Sequence, residues 1–204
     1  MVITMGPPQA DAALREALSM GIDEAILISD RAFAGSDTWA TSYTLSQAIK
    51  KVGNFDLIIC GKQASDGDTA QVGPGISAHL DIPQVTYVKK IEEITESVAR
   101  VERMTEEGFE IIQTPLPALF TVLKEINEPR LPSLKGMMRA KQAKITHWTA
   151  ADIDAKASFI GLTGSPTQVV KIFTPLPRTG GQMLSGEPSE IAQKIVELLK
   201  GEIG

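Results

Sequence analysis

The sequence predicts an α/β fold of three layers, built on a largely parallel sheet with an antiparallel extension and an extended C-terminal arm ending in a helix. Three observations predict it. Three short, continuous apolar runs early in the chain are each followed by a helix-forming stretch, the pattern of parallel strands buried on both faces. The middle of the chain then switches to alternating strands with charged faces. Beyond residue 124 the patterning loosens, and it returns only in a final amphipathic segment.

Val2–Ile3–Thr4–Met5 is a β-branched run halted by Gly6–Pro7–Pro8, a strand ending in a turn. Ala13, Leu14, Ala17 and Leu18 then recur at helical spacing within Ala10 to Met20, with Gly21 as the stop. Ala25 to Ile28 is a second strand. Ser36 or Asp37 caps a helix that runs to about Val52. Asp56 to Cys60 is the third strand, and a helix ends near Leu80. Val85 to Ile94, Ser97 to Met104 and Phe109 to Gln113 read as antiparallel strands, with Glu106–Glu107–Gly108 as a hairpin turn, and Pro117 to Leu123 is a further apolar strand. Pro132 opens a helix carrying Leu134, Met137, Met138, Arg139 and Lys141. Pro188 to Lys200 forms the last helix, with Ile191, Ile195, Leu198 and Leu199 on one face. The chain divides into an α/β domain over 1–146 and a C-terminal arm and helix over 147–204.

Composition narrows the function. The 204 residues are 43% hydrophobic and 22% charged, ordinary for a globular chain, and no run of eighteen apolar residues occurs. Twenty basic against twenty-five acidic residues give a net charge of −5, so nothing draws the chain to nucleic acid. A single cysteine, Cys60, forms no internal disulfide or cysteine metal site, and at the end of an apolar strand it reads as a small buried hydrophobe. The start of the chain lacks the pattern of a signal peptide, which makes the cytoplasm the expected location. His147 has no obvious acid or nucleophile beside it in sequence, and His79 reads as a partner of its helix's carbonyl end. No catalytic constellation emerges, and a protein without acid–base machinery suits a ligand that carries its own chemistry.

Ligands of an open α/β sheet bind beyond the C-terminal ends of its strands. Three loops fall there: Met5 to Pro8, Ala34 to Thr38, and Asp66–Gly67–Asp68–Thr69–Ala70–Gln71–Val72–Gly73. The third leads into a helix, whose N-terminal amides can hold phosphate. It is neither a Walker loop nor a GxGxxG motif, and spacing alone favours a plain capped helix. Met137 to Lys141 combines thioethers with positive charge, which suits either an internal helix face or a partner surface.

The sequence resembles the β subunit of electron-transfer flavoprotein. The similarity covers nearly the whole chain and is carried by Gly61–Lys62–Gln63–Ala64 with Asp66 to Pro74, by Val101–Glu102–Arg103 through Glu110 to Pro117–Ala118–Leu119, and by Asn127–Glu128–Pro129–Arg130 with Leu134 and Met138–Arg139–Ala140–Lys141. The resemblance implies a sheet of adenine-nucleotide-binding type and an electron carrier that pairs with an α subunit. It places Asp68, Thr69, Ala70, Gln71, Val72 and Gly73 around nucleotide phosphates and Met5 and Gly6 against the nucleotide. Leu134 would anchor a partner of acyl-CoA dehydrogenase type, with Arg130, Met138, Arg139 and Lys141 around it. Ser29 to Thr38, Gly164 to Gln168 and Phe173 to Pro175 resemble the electron-bifurcating branch. That branch implies FAD at this site, with Thr38 and Thr41 beside it, and electrons passing between NADH, ferredoxin or flavodoxin, and the dehydrogenase. The conventional branch implies structural AMP instead, and a non-redox adenine-nucleotide module or a subunit with an empty pocket are the remaining readings. Family members carry a further strand and helix ahead of the position of Val2, so an exposed sheet edge is expected here.

Overall fold

The order of elements follows from how the apolar residues alternate. The computed structural model describes residues 1–175, 181 and 183–202. It divides into two compact units, Met1–Gln168 and the remainder from Val169. The first unit holds strands β1 (Val2–Met5), β2 (Ala25–Ile28), β3 (Leu57–Gly61), β4 (Gln84–Ile94), β5 (Val98–Met104), β6 (Phe109–Pro115), β7 (Ala118–Val122) and β8 (Thr146–Trp148). Its helices are α1 (Asp11–Ser19), α2 (Thr38–Val52), α3 (Val72–Leu80) and α4 (Leu134–Gln142).

Every residue of β2 is buried, because each face of the strand is covered. Ile26 and Ile28 join Phe33, Tyr43, Ile153 and Ile160 on the α2 side. Ala25 and Leu27 join Leu14, Leu18, Ala140 and Ile145 on the side of α1 and α4. These are the three layers, and burying each large side chain contributes roughly 1.5–3 kcal/mol. The strand β7 repeats the arrangement. Leu119 meets Ile49 and Ile76 from α2 and α3, whereas Ala118 and Phe120 enter a cluster with Val85, Val88, Ala99 and Val101 from the strands themselves.

Pairing separates the strands into two sheets, ordered β1-β2-β8 and β3-β7-β4-β5-β6. The pairs β1–β2, β2–β8, β3–β7 and β4–β7 are parallel; β4–β5 and β5–β6 are antiparallel. Thus β4 serves both the parallel core and the antiparallel extension, and it changes register near Val88 and again near Ile91 as it does so. Among the described residues β1 does not pair with β3: each is an end strand of its sheet. The side chain of Ile3 nevertheless packs against the α2-side clusters of both sheets.

Two features differ from the sequence reading. Ser133, not Pro132, starts α4, accepting a hydrogen bond from the Gly136 amide at 3.0 Å. The strand β8, Thr146–Trp148, pairs with β2 where the sequence reading has no strand.

Helices α1 and α4 cap each other. Arg15 of α1 donates to the carbonyls of Ala140 at 2.7 Å and of Lys141 and Ala143 at 3.3 Å, while Asp11 holds its guanidinium at 2.6 Å. Arg139 of α4 donates in return to the carbonyls of Leu18 at 3.0 Å and Ile22 at 2.9 Å. Each cation thereby adds a charged donor to carbonyls at the other helix's C-terminal end, where the helix dipole is negative.

The second unit contains α5 (Pro188–Glu202). Ile195, Leu198 and Leu199 are exposed along one side of it. The extended stretch before it exposes Val170, Ile172 and Phe173. No helix among the described residues is long and apolar enough to cross a membrane.

Replacing Arg15 with Ala is expected to lower stability by about 1–3 kcal/mol, because charge-assisted hydrogen bonds to several carbonyls are lost at once. Arg139→Ala is expected to act similarly, and the double variant to lose less than the sum, since both changes undo one α1–α4 contact. Urea unfolding of the three variants checks this; a strictly additive double variant would show that the two caps act independently.

Candidate functional site

The C-terminal ends of β1 and β2 open into a cavity of about 700 Å³. Its walls include Met5 and Gly6 after β1, Asp30, Arg31 and Phe33 after β2, and Thr41 from the first turns of α2. That volume lies within the usual range for small-molecule sites. Among the described residues lining it, Arg31 is the one cation. Asp30 is tied to the backbone: its carboxylate accepts from the Ala32 amide at 3.0 Å and the Ala150 amide at 3.1 Å. Those bonds, against a smaller upward push from burial, hold its carboxyl below the ordinary aspartate value.

Of the residues singled out from sequence, Met5, Gly6 and Thr41 share this cavity. Thr38 lies one turn earlier on α2 and donates its hydroxyl to Oε1 of Gln71 at 2.7 Å. Gln71 stands immediately before α3, so this bond ties the start of α2 to the loop of Asp68 to Gly73. Within that loop Asp68 and Ala70 adopt left-handed backbone angles, with φ of 49° and 54°. The Gln63 amide donates to the Asp68 carboxylate, which gives that negative charge a local partner.

The two helix N-termini at the site are finished differently. At α2 the Asp37 carboxylate accepts from the Ala40 amide at 3.0 Å. At α3 the cap residue Gln71 makes no side-chain capping bond, and the first turn carries no acidic residue. The first two amides of α3, those of Val72 and Gly73, therefore have no side-chain acceptor, Pro74 after them has no N–H, and no acidic side chain in the first turn answers the helix dipole. An anion suits α3 and is repelled at α2.

Glycines set the depth of α3. A Cβ on Gly73 would stand 2.5 Å from Cγ2 of the buried Thr121, and one on Gly75 would stand 2.5 Å from Oγ of Ser42 in α2. The helix start is thus held close against β7 and α2. Cys60 lines the same contact; burial pushes its thiol up to about 11, so it stays protonated and acts as an apolar filler, as its position in the sequence suggests. His79 does not serve the carbonyl end of α3. Its ring packs at 4.7 Å from Trp39 and 5.7 Å from Tyr43, and desolvation, then the charge of Lys50, lowers its basicity.

At the other end of the first unit, Leu131, Leu134 and Met138 are exposed to 91%, 79% and 65%, a degree that leaves them no internal packing role. Arg130 and Lys141 are exposed around them. Arg139, grouped with them from sequence, spends its guanidinium on the carbonyls of α1. No group of three or more histidine, cysteine or acidic side chains capable of holding a metal occurs among the described residues. Asp30, Arg31 and Phe33 were not selected as site residues from sequence. Their position directly after a buried strand was the available signal.

A model of the electron transfer flavoprotein domain matches residues 1–153. The chain is 52% identical over 201 residues to electron transfer flavoprotein subunit beta of Thermoanaerobacterium thermosaccharolyticum, covering 97% of this chain and 76% of that relative. It is 50% identical over 201 residues to caffeyl-CoA reductase-Etf complex subunit CarD of Acetobacterium woodii, with 98% and 76% covered. Protein FixA of Azotobacter vinelandii is 51% identical over 185 residues, with 87% and 66% covered.

Two outcomes are expected from this geometry. Gly73→Ala is expected to destabilise the fold by about 1–3 kcal/mol through overpacking against Thr121, read by thermal or urea unfolding; an unchanged midpoint would mean that α3 can move away freely. Asp30 contributes stability that is intact above the ordinary aspartate value and is lost as pH falls through its lower folded value. Unfolding free energy measured from pH 7 to pH 2.5 should therefore fall less steeply below about pH 4 in Asp30→Asn than in the native chain.

Proposed function

Because the chain belongs to the electron transfer flavoprotein family, with β subunits among its relatives, we propose that it binds FAD and acts as an electron-carrying subunit beside an α subunit. The observation that carries this reading is the pairing of the cavity at Met5, Gly6 and Thr41 with the uncapped start of α3, joined by the Thr38–Gln71 hydrogen bond. AMP and FAD both offer phosphate to the free amides and a ring system to the largely apolar cavity. FAD is favoured because Ser29, Asp30, Arg31, Phe33 and Ala34 on the cavity wall belong to the stretch that resembles the electron-bifurcating branch.

The residues present suit that ligand. The amides at the start of α3 would hold phosphate oxygens, and Gly73 lets the helix sit deep enough to offer them. Met5, Gly6 and Phe33 would enclose the apolar part and exclude water. Arg31 would offset negative charge on the cavity wall. The flavin, when bound, supplies the redox chemistry; the chain's own part is to bind, orient and shield it.

Around that site the reading extends to partners. The exposed arm from Val169 to Phe173 and the apolar side of α5 would lie on the α subunit. Leu134, with Leu131, Met138, Arg130 and Lys141, would dock a dehydrogenase of the acyl-CoA type. The similarity to a subunit of a caffeyl-CoA reductase-Etf complex supports this assignment. Electron bifurcation from NADH toward ferredoxin or flavodoxin, in the cytoplasm, is the fullest form of the proposal.

The test is the cofactor content of the chain purified with an α subunit, by absorbance and nucleotide chromatography. Two FAD per heterodimer are expected; one FAD with one AMP would assign the site to a structural nucleotide, and one FAD alone would leave it without a ligand. Gln71→Glu separates fold from ligand. A carboxylate at the start of α3 is expected to raise stability by about 0.3–1 kcal/mol through the helix dipole yet to weaken nucleotide binding by about tenfold through repulsion of phosphate. Stabilisation with unchanged binding would place the phosphates elsewhere.

A further inference from the structure

The root of the C-terminal arm is fastened to the start of α2. Asp37 makes the attachment with three groups. Its amide donates to Oγ of Ser165 at 2.8 Å, and its Oδ2 accepts both the amide of Thr167 at 2.9 Å and the Thr167 hydroxyl at 2.8 Å. Its Oδ1 remains on the Ala40 amide, as the cap of α2. Around this centre Ser165 also donates to the Gly161 carbonyl at 2.7 Å, and the Gly161 amide donates to Oγ of Ser36 at 3.1 Å. Gly35, with φ of 75°, leaves room for Leu162, whose Cδ2 stands 2.6 Å from where a Cβ would be. Pro166 stiffens the backbone between the two hydroxyl residues. All of these contacts fall just before Gln168, where the first unit ends.

The next residue after Asp37 points the other way in function. Thr38 donates to Gln71, at the start of α3. One turn of α2 therefore holds the arm's root through Asp37 and the nucleotide loop through Thr38.

We propose that Asp37 is a positioning residue that couples the root of the C-terminal arm to the nucleotide loop before α3, so that nucleotide binding and capture of the arm by a partner subunit reinforce each other. The inference rests on the reading that a nucleotide occupies the α3 loop. Its physical content is a shared element. Release of Ser165 and Thr167 strips the Asp37 carboxylate of both Thr167 donors, amide and hydroxyl, and the turn that carries Thr38 loses its outer brace. Ordering either side orders that turn for the other, and the effect is reciprocal by thermodynamic necessity. Burial raises the cost of the Asp37 charge, but the bonds from Ala40, Thr167 and Trp39 outweigh it and keep the carboxyl below its ordinary value, so the latch is ionised at neutral pH.

The experiment uses the full chain, native and as Thr167→Val, Thr167→Ser and Thr163→Val, with FAD as the titrant. Thr167 touches none of the groups assigned to the nucleotide. Three quantities are read: FAD affinity, melting temperature, and hydrogen exchange of residues 161–168 with and without FAD. In the native chain FAD is expected to slow exchange across 161–168. Thr167→Val is expected to lose that protection and to bind FAD about fivefold more weakly. Thr167→Ser, which keeps the hydroxyl, restores both, and Thr163→Val behaves as native. A lowered melting temperature in Thr167→Val with native FAD affinity and native protection would reduce the latch to a structural brace and overturn the coupling alone. Failure of the native chain to bind FAD, or AMP in its place, overturns the nucleotide reading and the coupling with it.

Discussion

The close seat of α3 against β7 and α2 is the contact on which the site depends. It exists because two positions one turn-half apart carry no side chain. Gly73 rests on Thr121 and Cys60, and Gly75 rests on Ser42. With the helix at this depth, Gln71 comes within hydrogen-bonding reach of Thr38, and two loops far apart in sequence become one surface. A methyl group at either glycine would push α3 outward, and that bond and the helix start would move together. Packing, in this molecule, sets the geometry of the polar groups.

The same comparison explains how two neighbouring helix starts take different duties. Both face the C-terminal side of the sheets, and both carry the partial positive charge of a helix N-terminus. At α2 that charge is answered internally by Asp37, which frees the helix to act as a structural post between residues 165–167 and the loop before α3. At α3 it is unanswered. The distinction follows from one side chain at each cap, an aspartate in one case and a glutamine turned toward Thr38 in the other.

Much of this was legible in the sequence, for a local reason. The strands β1, β2, β3 and β7 are short, largely apolar runs, and α1, α2 and α3 show helical spacing, so their existence needs no knowledge of distant residues. The strand β8 escaped because only three residues form it and two of them, Thr146 and His147, are exposed; its identity comes from the neighbouring β2. Arg139 read as a surface cation beside Leu134, since nothing near it in sequence reveals that the carbonyls of Leu18 and Ile22 lie within reach. The attachment of Ser165 and Thr167 to Asp37 spans about 130 residues of chain and had no local signature. Loops selected for their place after a strand were found correctly as loops; which of their side chains line the cavity depended on the fold.

The division of the strands into two sheets has a mechanical consequence. Along most of a parallel sheet, ladder hydrogen bonds transmit load from strand to strand. Between β1 and β3 no such ladder exists among the described residues, and the load passes through side chains, chiefly Ile3 and the face of α2. Side-chain contacts resist separation but yield to shear far more readily than hydrogen bonds do. Among the described residues the two sheets of the first unit are thus joined beneath α2 by side chains. Met5 and Gly6 ride on one sheet, and the loop before α3 follows the other. A ligand reaching both would act as a strut across the seam, adding stiffness where the backbone supplies none.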